Sequence, residues 1–296
     1  MKRREKKKQM LGHFKNETAK NRFFSLYDDA LSQWPASTTM MSLETSFGTT
    51  KLYTYGASKQ TPLILLHGLN ATSNDWVNNL EAIGNERTVY VIDMLGDAGK
   101  SEQTDSVHLP EDAVSWLSEV VGQLHLTAFH LGGTSYGGWL ALRYTREHAS
   151  RVKSLLLTEP AQAIVRLSLL FWAKLLWAQL IGPDAMRKRL YKWMCAYSPD
   201  PLQEKLSVSA MRDFRMLRTP PLYMKKQELE SIQVPLLLVL GMRSPVHSAR
   251  RMRKRALSLW PNAAIHLFKE GGHRVHAQLP HETNKLMKDF MEKLDD

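Results

Sequence analysis

The stretch HLGGTSYGGWLAL, residues 130–142, decides how the chain is read. Its first part ends an apolar run, TAFHLGGTS (127–135), of the kind a buried strand makes. Its second part opens YGGWLALRYTREHA (136–149), whose apolar spacing is helical. Between them, Gly133-Thr134-Ser135-Tyr136-Gly137 sets one serine between two glycines. A strand that turns into a helix this sharply brings backbone segments into close approach, which glycine permits. Such a nucleophile elbow exposes the Ser135 hydroxyl at the top of a sheet. It also sets the serine at a helix N-terminus, where N–H groups and the dipole favour developing negative charge. The pattern is common by chance, and its plain alternative is a turn serine. The strand before it and the amphipathic helix after it favour the nucleophile.

Working outward, the same grammar repeats. PLILLHG (62–68), RTVYVIDMLG (87–96), VKSLLLTE (152–159), VPLLLVLG (234–241) and AAIHLFKEGG (263–272) are further continuous apolar runs. Strands of this kind are buried on both faces, which predicts a mostly parallel central sheet flanked by helices, an α/β fold. LPEDAVSWLSEVVGQL (109–124) and HETNKLMKDFMEKL (281–294) read as covering helices. Upstream, NRFFSLYDDALSQWP (21–35) has helical spacing stopped by Pro35, and ETSFGTTKLYTYG (44–56) reads as a strand pair turning near Gly48. About seventy residues separate the runs ending at 159 and beginning at 234, far more than a crossover needs. They carry Phe171, Trp172, Leu175, Trp177, Leu190, Tyr191, Trp193 and Met194 and read as an inserted helical cap over the carboxyl edge of the sheet. Most of these side chains are expected to pack cap onto body. The expected organisation is a basic N-terminal tail (1–22), a core (23–160 and 226–296) and a helical cap (161–225).

A chain of 296 residues with 43% hydrophobic content can bury one large core with a lid. The lone Cys195 excludes an intramolecular disulfide framework and fits a reducing compartment. No apolar segment of secretory type follows the basic N-terminus. AIVRLSLLFWAKLLWAQLIG (163–182) is interrupted by Arg166 and Lys174, which makes it a poor membrane span. A cytoplasmic protein without a transmembrane segment is expected. The net charge of +11 concentrates in the tail and in a helix holding Arg250, Arg251, Arg253, Lys254 and Arg255. The plain reading is a solvated tail and helix face; peripheral attraction to anionic lipid through the tail is the alternative. No zinc-ligand spacing, RNA-binding signature or helix-turn-helix pattern points to nucleic acid. DMLGDAGKSE (93–102) lacks the spacing of a phosphate-binding loop, because Gly96 and Gly99 are too close together.

An acyl-transfer site needs two donors aimed at one oxygen. The N–H of Tyr136 is one candidate, and the N–H of Leu69, in the loop HGLNATSNDW (67–76), is the other. His67 reads as a brace for that loop.

Four motifs together, LILLHG with Trp76 downstream, DMLGDAGKS, GTSYGG and EGGHRVHAQLP, resemble those of the α/β-hydrolase superfamily. The resemblance spans residues 43–294 and is to the cap-bearing branch, which includes haloalkane dehalogenases, epoxide hydrolases, C–C bond hydrolases and many esterases. It implies a catalytic histidine in the late glycine turn, which is His273, with His276 as the alternative. His247, His266 and His281 read as surface or packing residues. The resemblance also implies an aspartate in the loop after the next-to-last strand, and here the chain departs from it. That loop is Gly241-Met242-Arg243-Ser244-Pro245-Val246, with Ser244 where the acid is expected, and no carboxylate lies between residues 236 and 261. Either the acid has moved or the machinery has decayed. Glu159, at the end of a predicted strand, is the candidate replacement; some haloalkane dehalogenases resemble this layout. Pro160 is expected to hold Glu159 extended. Its plain alternative is a hinge carboxylate.

A serine at the elbow excludes the aspartate chemistry of dehalogenases and epoxide hydrolases. The leading expectation is hydrolysis of an ester of a small or medium apolar acyl group through an acyl-enzyme, with no metal or organic cofactor. The alternatives are a C–C bond hydrolase or cofactor-free perhydrolase, and a binding protein that lost its acid.

Overall fold

The computed structural model describes residues 11–180 and 182–295. A short strand, β1 (His13–Phe14), precedes helix α1 (Glu17–Leu31), whose first turn is closed by the Asn16 side chain accepting from the Ala19 N–H. The tail expected over 1–22 is therefore corrected. Asn16 caps a helix that already buries Ala19 and Phe23, so residues 13–22 are folded, and residues 1–10 lie outside the described residues.

The chain continues through β2 (Thr39–Thr45), β3 (Gly48–Tyr55), β4 (Leu63–Leu66), α2 (Val77–Gly84), β5 (Val89–Ile92), β6 (Glu102–Gln103), α3 (Pro110–Gln123), β7 (Phe129–Thr134), α4 (Tyr136–Glu147) and β8 (Val152–Thr158). Then α5 (Leu169–Leu180), α6 (Asp184–Cys195), α7 (Pro201–Asp213), β9 (Phe214–Arg215) and α8 (Lys226–Glu230) lead to β10 (Leu236–Gly241). Helix α9 (Ala249–Leu259), β11 (Ala264–Phe268), α10 (Val275–Gln278) and α11 (Pro280–Asp295) complete it.

Nine strands form one sheet in the order β11-β10-β8-β7-β4-β5-β3-β2, with β6 on β3. The pairs from β11 to β5 are parallel, and β3 and β2 join antiparallel. The α/β architecture expected from the apolar runs is the one observed. The runs are continuous because both faces are covered: Leu131, Trp139 and Val120 pack on one side, Phe23, Leu80 and Met287 on the other. The parallel strands end their carboxyl edges together, so the loops after β4, β7, β8, β10 and β11 converge.

Between β8 and β10 the chain leaves the sheet. Helices α5, α6 and α7 stand outside it, held by their own cluster of Leu167, Phe171, Leu175, Leu190 and Met211. β9 pairs antiparallel with β1, and Phe14 meets Phe214 edge-on at 4.9 Å. The N-terminal segment is thus laced to the insertion.

Candidate active site

Ser135 sits between β7 and α4 with φ 51° and ψ −114°, a region L-residues rarely occupy. Its neighbours hold it there. Its N–H donates to Thr158 O at 3.0 Å, and its carbonyl accepts from Ala161 N at 2.9 Å. The two glycines are required by close approach. A Cβ on Gly133 would lie 2.4 Å from the carbonyl carbon of Gly137, and one on Gly137 would lie 2.3 Å from Leu66 O. The sequence pattern is therefore a packing demand that aims the hydroxyl outward from the sheet edge.

His273, on the loop after β11, places Nε2 3.0 Å from Ser135 Oγ and Nδ1 3.1 Å from Glu159 Oε2. Glu159 is fully buried, and its Oε1 accepts the Gly241 N–H at 2.7 Å. Ser244 Oγ is 3.5 Å from the same Nδ1, at the limit of hydrogen-bond reach. The chain of contacts runs hydroxyl, imidazole, carboxylate. Burial pushes the Glu159 carboxyl up, but the two facing histidines outweigh it and hold it well below the usual carboxylate range. Burial holds His273 below its ordinary value, with Glu159 opposing that shift. In this state Nδ1–H can donate to Glu159 while Nε2 accepts from the serine.

Two expectations change here. Glu159 is not extended: its φ is 50°. Pro160 does disfavour the right-handed helical region, but the backbone escapes to the left-handed side, turning the carboxylate in toward Gly241 and His273 as the chain departs for the insertion. His247, read as a surface or packing residue, is buried with Nε2 3.1 Å from Glu159 Oε2. Glu159, His247 and His273 bring ligand-type atoms within 4.8 Å of one another, and the same groups face Ser135 and Gly241. His276 is directed elsewhere, its ring tilted against Trp76 with centroids 4.4 Å apart and its Nε2 3.4 Å from Asp75.

Leu69 lines the same cavity as Ser135, and Tyr136 follows the serine directly in the chain. Gly68 packs so closely that a Cβ on it would lie 3.3 Å from Ser135 Cβ. The Leu69 N–H has no acceptor among the described residues, and Tyr136 is the first residue of its helix, where the N–H lacks an intrahelical partner. His67 braces the loop: Nε2 accepts the Met94 N–H at 3.1 Å and Nδ1 donates to Gly68 O at 2.8 Å. The DMLGDAGKSE loop folds around its own Asp93, which accepts from Ser73 N, Lys100 N and the Tyr27 hydroxyl.

A cavity of about 810 Å³, its open mouth included, lies over the serine. The sheet edge contributes Leu69, Ser135 and His273; the insertion contributes Phe171, Leu175, Met194, Leu206 and Met211. One polar cluster interrupts the apolar wall. Arg274 pairs with Asp75 and with the Tyr191 hydroxyl, and the guanidinium holds the Asp75 carboxyl far down against the effect of burial. Sequence reading missed this cluster, since nothing in the spacing of 75, 191 and 274 signals it. Helix α6 also reaches the histidine loop: the His273 N–H donates to Met194 O at 3.0 Å, and Gly272 lies directly against the Cys195 carbonyl. The Cys195 thiol is buried and pushed up to about 11 by that burial.

A model of the alpha/beta hydrolase family matches residues 63–286. Carboxylesterase YbfK of Bacillus subtilis is 28% identical over 279 residues, spanning 91% of this chain and 93% of that one. The crystal structure of carboxylesterase CesB (YbfK) from Bacillus subtilis is similar with a TM-score of 0.87 at 26% identity, covering 93% of this chain and 98% of that one. The crystal structure of naproxen esterase (carboxylesterase NP) from Bacillus subtilis gives 0.85 at 25% identity, covering 91% and 96%.

Proposed function

Because the chain belongs to the alpha/beta hydrolase family, we propose that it is a carboxylesterase-like serine hydrolase, with Ser135 as nucleophile, His273 as general base and acid, and Glu159 as the orienting carboxylate. The observation that carries this reading is the continuous line from Ser135 Oγ to His273 Nε2 and from Nδ1 to Glu159 Oε2. The likeness to carboxylesterases over nearly the whole chain supports it. The position of Glu159 speaks against a binding protein that lost its acid.

The reaction follows from the geometry. His273 Nε2 takes the Ser135 proton as Oγ attacks the ester carbonyl. Negative charge gathers on the carbonyl oxygen, where the N–H groups of Leu69 and Tyr136 receive it. Glu159 stabilises the imidazolium. The imidazolium returns the proton to the departing alcohol, leaving an acyl-enzyme, and water then repeats the sequence to release the acid. Besides substrate and water, these steps call on side-chain and backbone groups of the chain. Residues 161–225 act as a cap whose Phe171, Leu175, Leu206 and Met211 accept a small or medium apolar acyl group. The single cysteine fits a cytoplasmic setting.

An active-site phosphonate probe tests the assignment. The wild type labels at Ser135, and Ser135→Ala loses both labelling and hydrolysis of p-nitrophenyl butyrate, turnover falling by several orders of magnitude. Labelling that persists on the variant refutes the nucleophile.

A further inference from the structure

Helix α5 departs from the usual division of a surface helix into apolar and polar faces. Phe171, Leu175 and Ala178 turn inward, the first two lining the cavity over Ser135. Among the described side chains, its outward stripe consists of Leu169, Leu170, Ala173, Leu176, Trp177 and Leu180. Leu169 is 87% exposed, Leu180 70% and Leu176 58%. A helix apolar on both sides belongs inside a protein or against lipid. Its one charged residue, Lys174, is turned aside over the Trp193 ring.

The helix is too short to span a bilayer. Its 12 residues cover roughly 18 Å at the helical rise, against about 30 Å of hydrocarbon. No described helix is long and apolar enough to cross a membrane. Lying in the interface remains open to it, and that position is favoured by positive charge beside the apolar face. Such charge is present. At the N-terminal end of α5, an open basin is lined by Arg166, Leu169, Tyr223, Ser248, Arg251 and Arg255 among others, with no carboxylate in its wall among the described residues. Arg166 and Arg255 both lie over the Tyr223 ring, at 5.1 and 4.7 Å. Two like charges are thus gathered on one ring with no acid to balance them. Buried His247 also lines the basin, and its Nδ1 has no hydrogen-bond partner among the described residues. Leu169 belongs to both features, so basin and apolar stripe are one continuous surface.

We propose that this surface docks on an anionic phospholipid bilayer, α5 lying in the interface with its leucine and tryptophan stripe among the acyl chains and a headgroup phosphate in the arginine basin. Charge complementarity selects this occupant: a second copy of the chain would bring the same arginines toward their like, whereas phospholipid offers phosphate at the height of the basin and acyl chain at the height of the stripe. Docking would bring the inner face of α5, and with it the cavity, next to the membrane.

Co-sedimentation of the full chain with vesicles tests this, using phosphatidylcholine alone and phosphatidylcholine with phosphatidylglycerol. The wild type is expected to bind the anionic vesicles more tightly and to be released by salt. Leu176→Asp with Trp177→Asp should weaken that binding by roughly tenfold or more, because it sets charge where acyl chains must pack. Arg166→Glu with Arg251→Glu should weaken it and flatten its salt dependence. Both double variants should hydrolyse a water-soluble ester at the wild-type rate, which shows that the fold is intact. Three results overturn the proposal. One is vesicle binding that survives the α5 variant yet vanishes when the lysines and arginines of residues 2–8 become glutamine, which assigns it to the charge of the N-terminus. Another is an α5 variant that abolishes a concentration-dependent self-association with no vesicle binding in the wild type, which makes the stripe an interface between copies. Absence of both vesicle binding and self-association leaves the proposal without support and refutes it.

Discussion

Replacing Glu159 with glutamine exchanges one oxygen for an NH₂ and removes a charge, and the consequence depends on which oxygen meets which partner. Oε1 accepts the Gly241 N–H at 2.7 Å, and Oε2 lies 3.1 Å from His273 Nδ1 and 3.1 Å from His247 Nε2. The Gly241 N–H can only donate, so the glutamine carbonyl is required there. The NH₂ then faces His273 and can only donate to Nδ1. Nδ1 becomes an acceptor, the ring proton moves to Nε2, and Nε2 loses the lone pair aimed at Ser135 Oγ 3.0 Å away. The ring can no longer take the serine's proton. In a serine-protease triad the corresponding loss of the orienting carboxylate costs about 10⁴ in kcat for this same tautomeric reason, which is ~5 kcal/mol of barrier. We expect kcat of Glu159→Gln to fall by about 10³–10⁴ with little change in KM, since the carboxylate does not line the cavity. The assay is hydrolysis of p-nitrophenyl butyrate, with circular dichroism to confirm the fold. Ser244 Oγ already lies 3.5 Å from Nδ1. Adding Ser244→Asp to the glutamine variant should therefore return about tenfold of the lost turnover, by restoring an acceptor for Nδ1–H. A folded Glu159→Gln protein whose kcat is within about tenfold of wild type refutes the tautomer argument and the role of Glu159 with it.

The remaining predictions concern His247 and the contact between the insertion and the histidine loop. Burial chiefly, with a smaller effect of His247, holds His273 below its ordinary value, and kcat/KM requires the neutral ring, so activity is lost as pH falls through that depressed value. His247→Leu leaves the Glu159 charge to His273 alone and should move the acidic limb of the kcat/KM profile upward. His247→Gln, which likewise removes the imidazole, should move the limb the same way; a leucine variant with an unmoved limb contradicts the coupling. Gly272→Ala would put a Cβ 1.6 Å from the Cys195 carbonyl oxygen. Either α6 or the histidine loop must yield, at about 1–3 kcal/mol. Thermal unfolding should fall by a few degrees and kcat should fall with it, and an alanine variant with wild-type stability and rate refutes that close docking.

The sheet and its elbow were legible because each apolar run is local and each glycine answers a local close approach. Ser135 and the His67 brace follow from that grammar, whereas His273 rested on the resemblance of EGGHRVHAQLP to the family's late glycine turn. The backbone of Glu159 did not, because Pro160 forbids one region of φ and ψ without choosing among the rest, and the choice was made by partners distant in sequence. His247 was invisible for a related reason. Its contact with Glu159 exists because β8 and β10 are parallel neighbours, so the loops after them leave the same edge side by side. The strands were readable, but their order was needed before the two loops could be paired. At the N-terminus, a density of lysine and arginine reads as a solvated tail, yet Asn16 is a capping residue with an acidic residue directly after it and buried Ala19 and Phe23 beyond. Helix α5 marks the limit of periodicity itself. The pattern that reveals a buried face is the contrast between apolar and polar positions, and where both faces are apolar the contrast vanishes. Arg166 and Lys174 were enough to argue against a membrane span; which leucines face the cavity and which face outward required the packing of α5 against Leu190 and Met211.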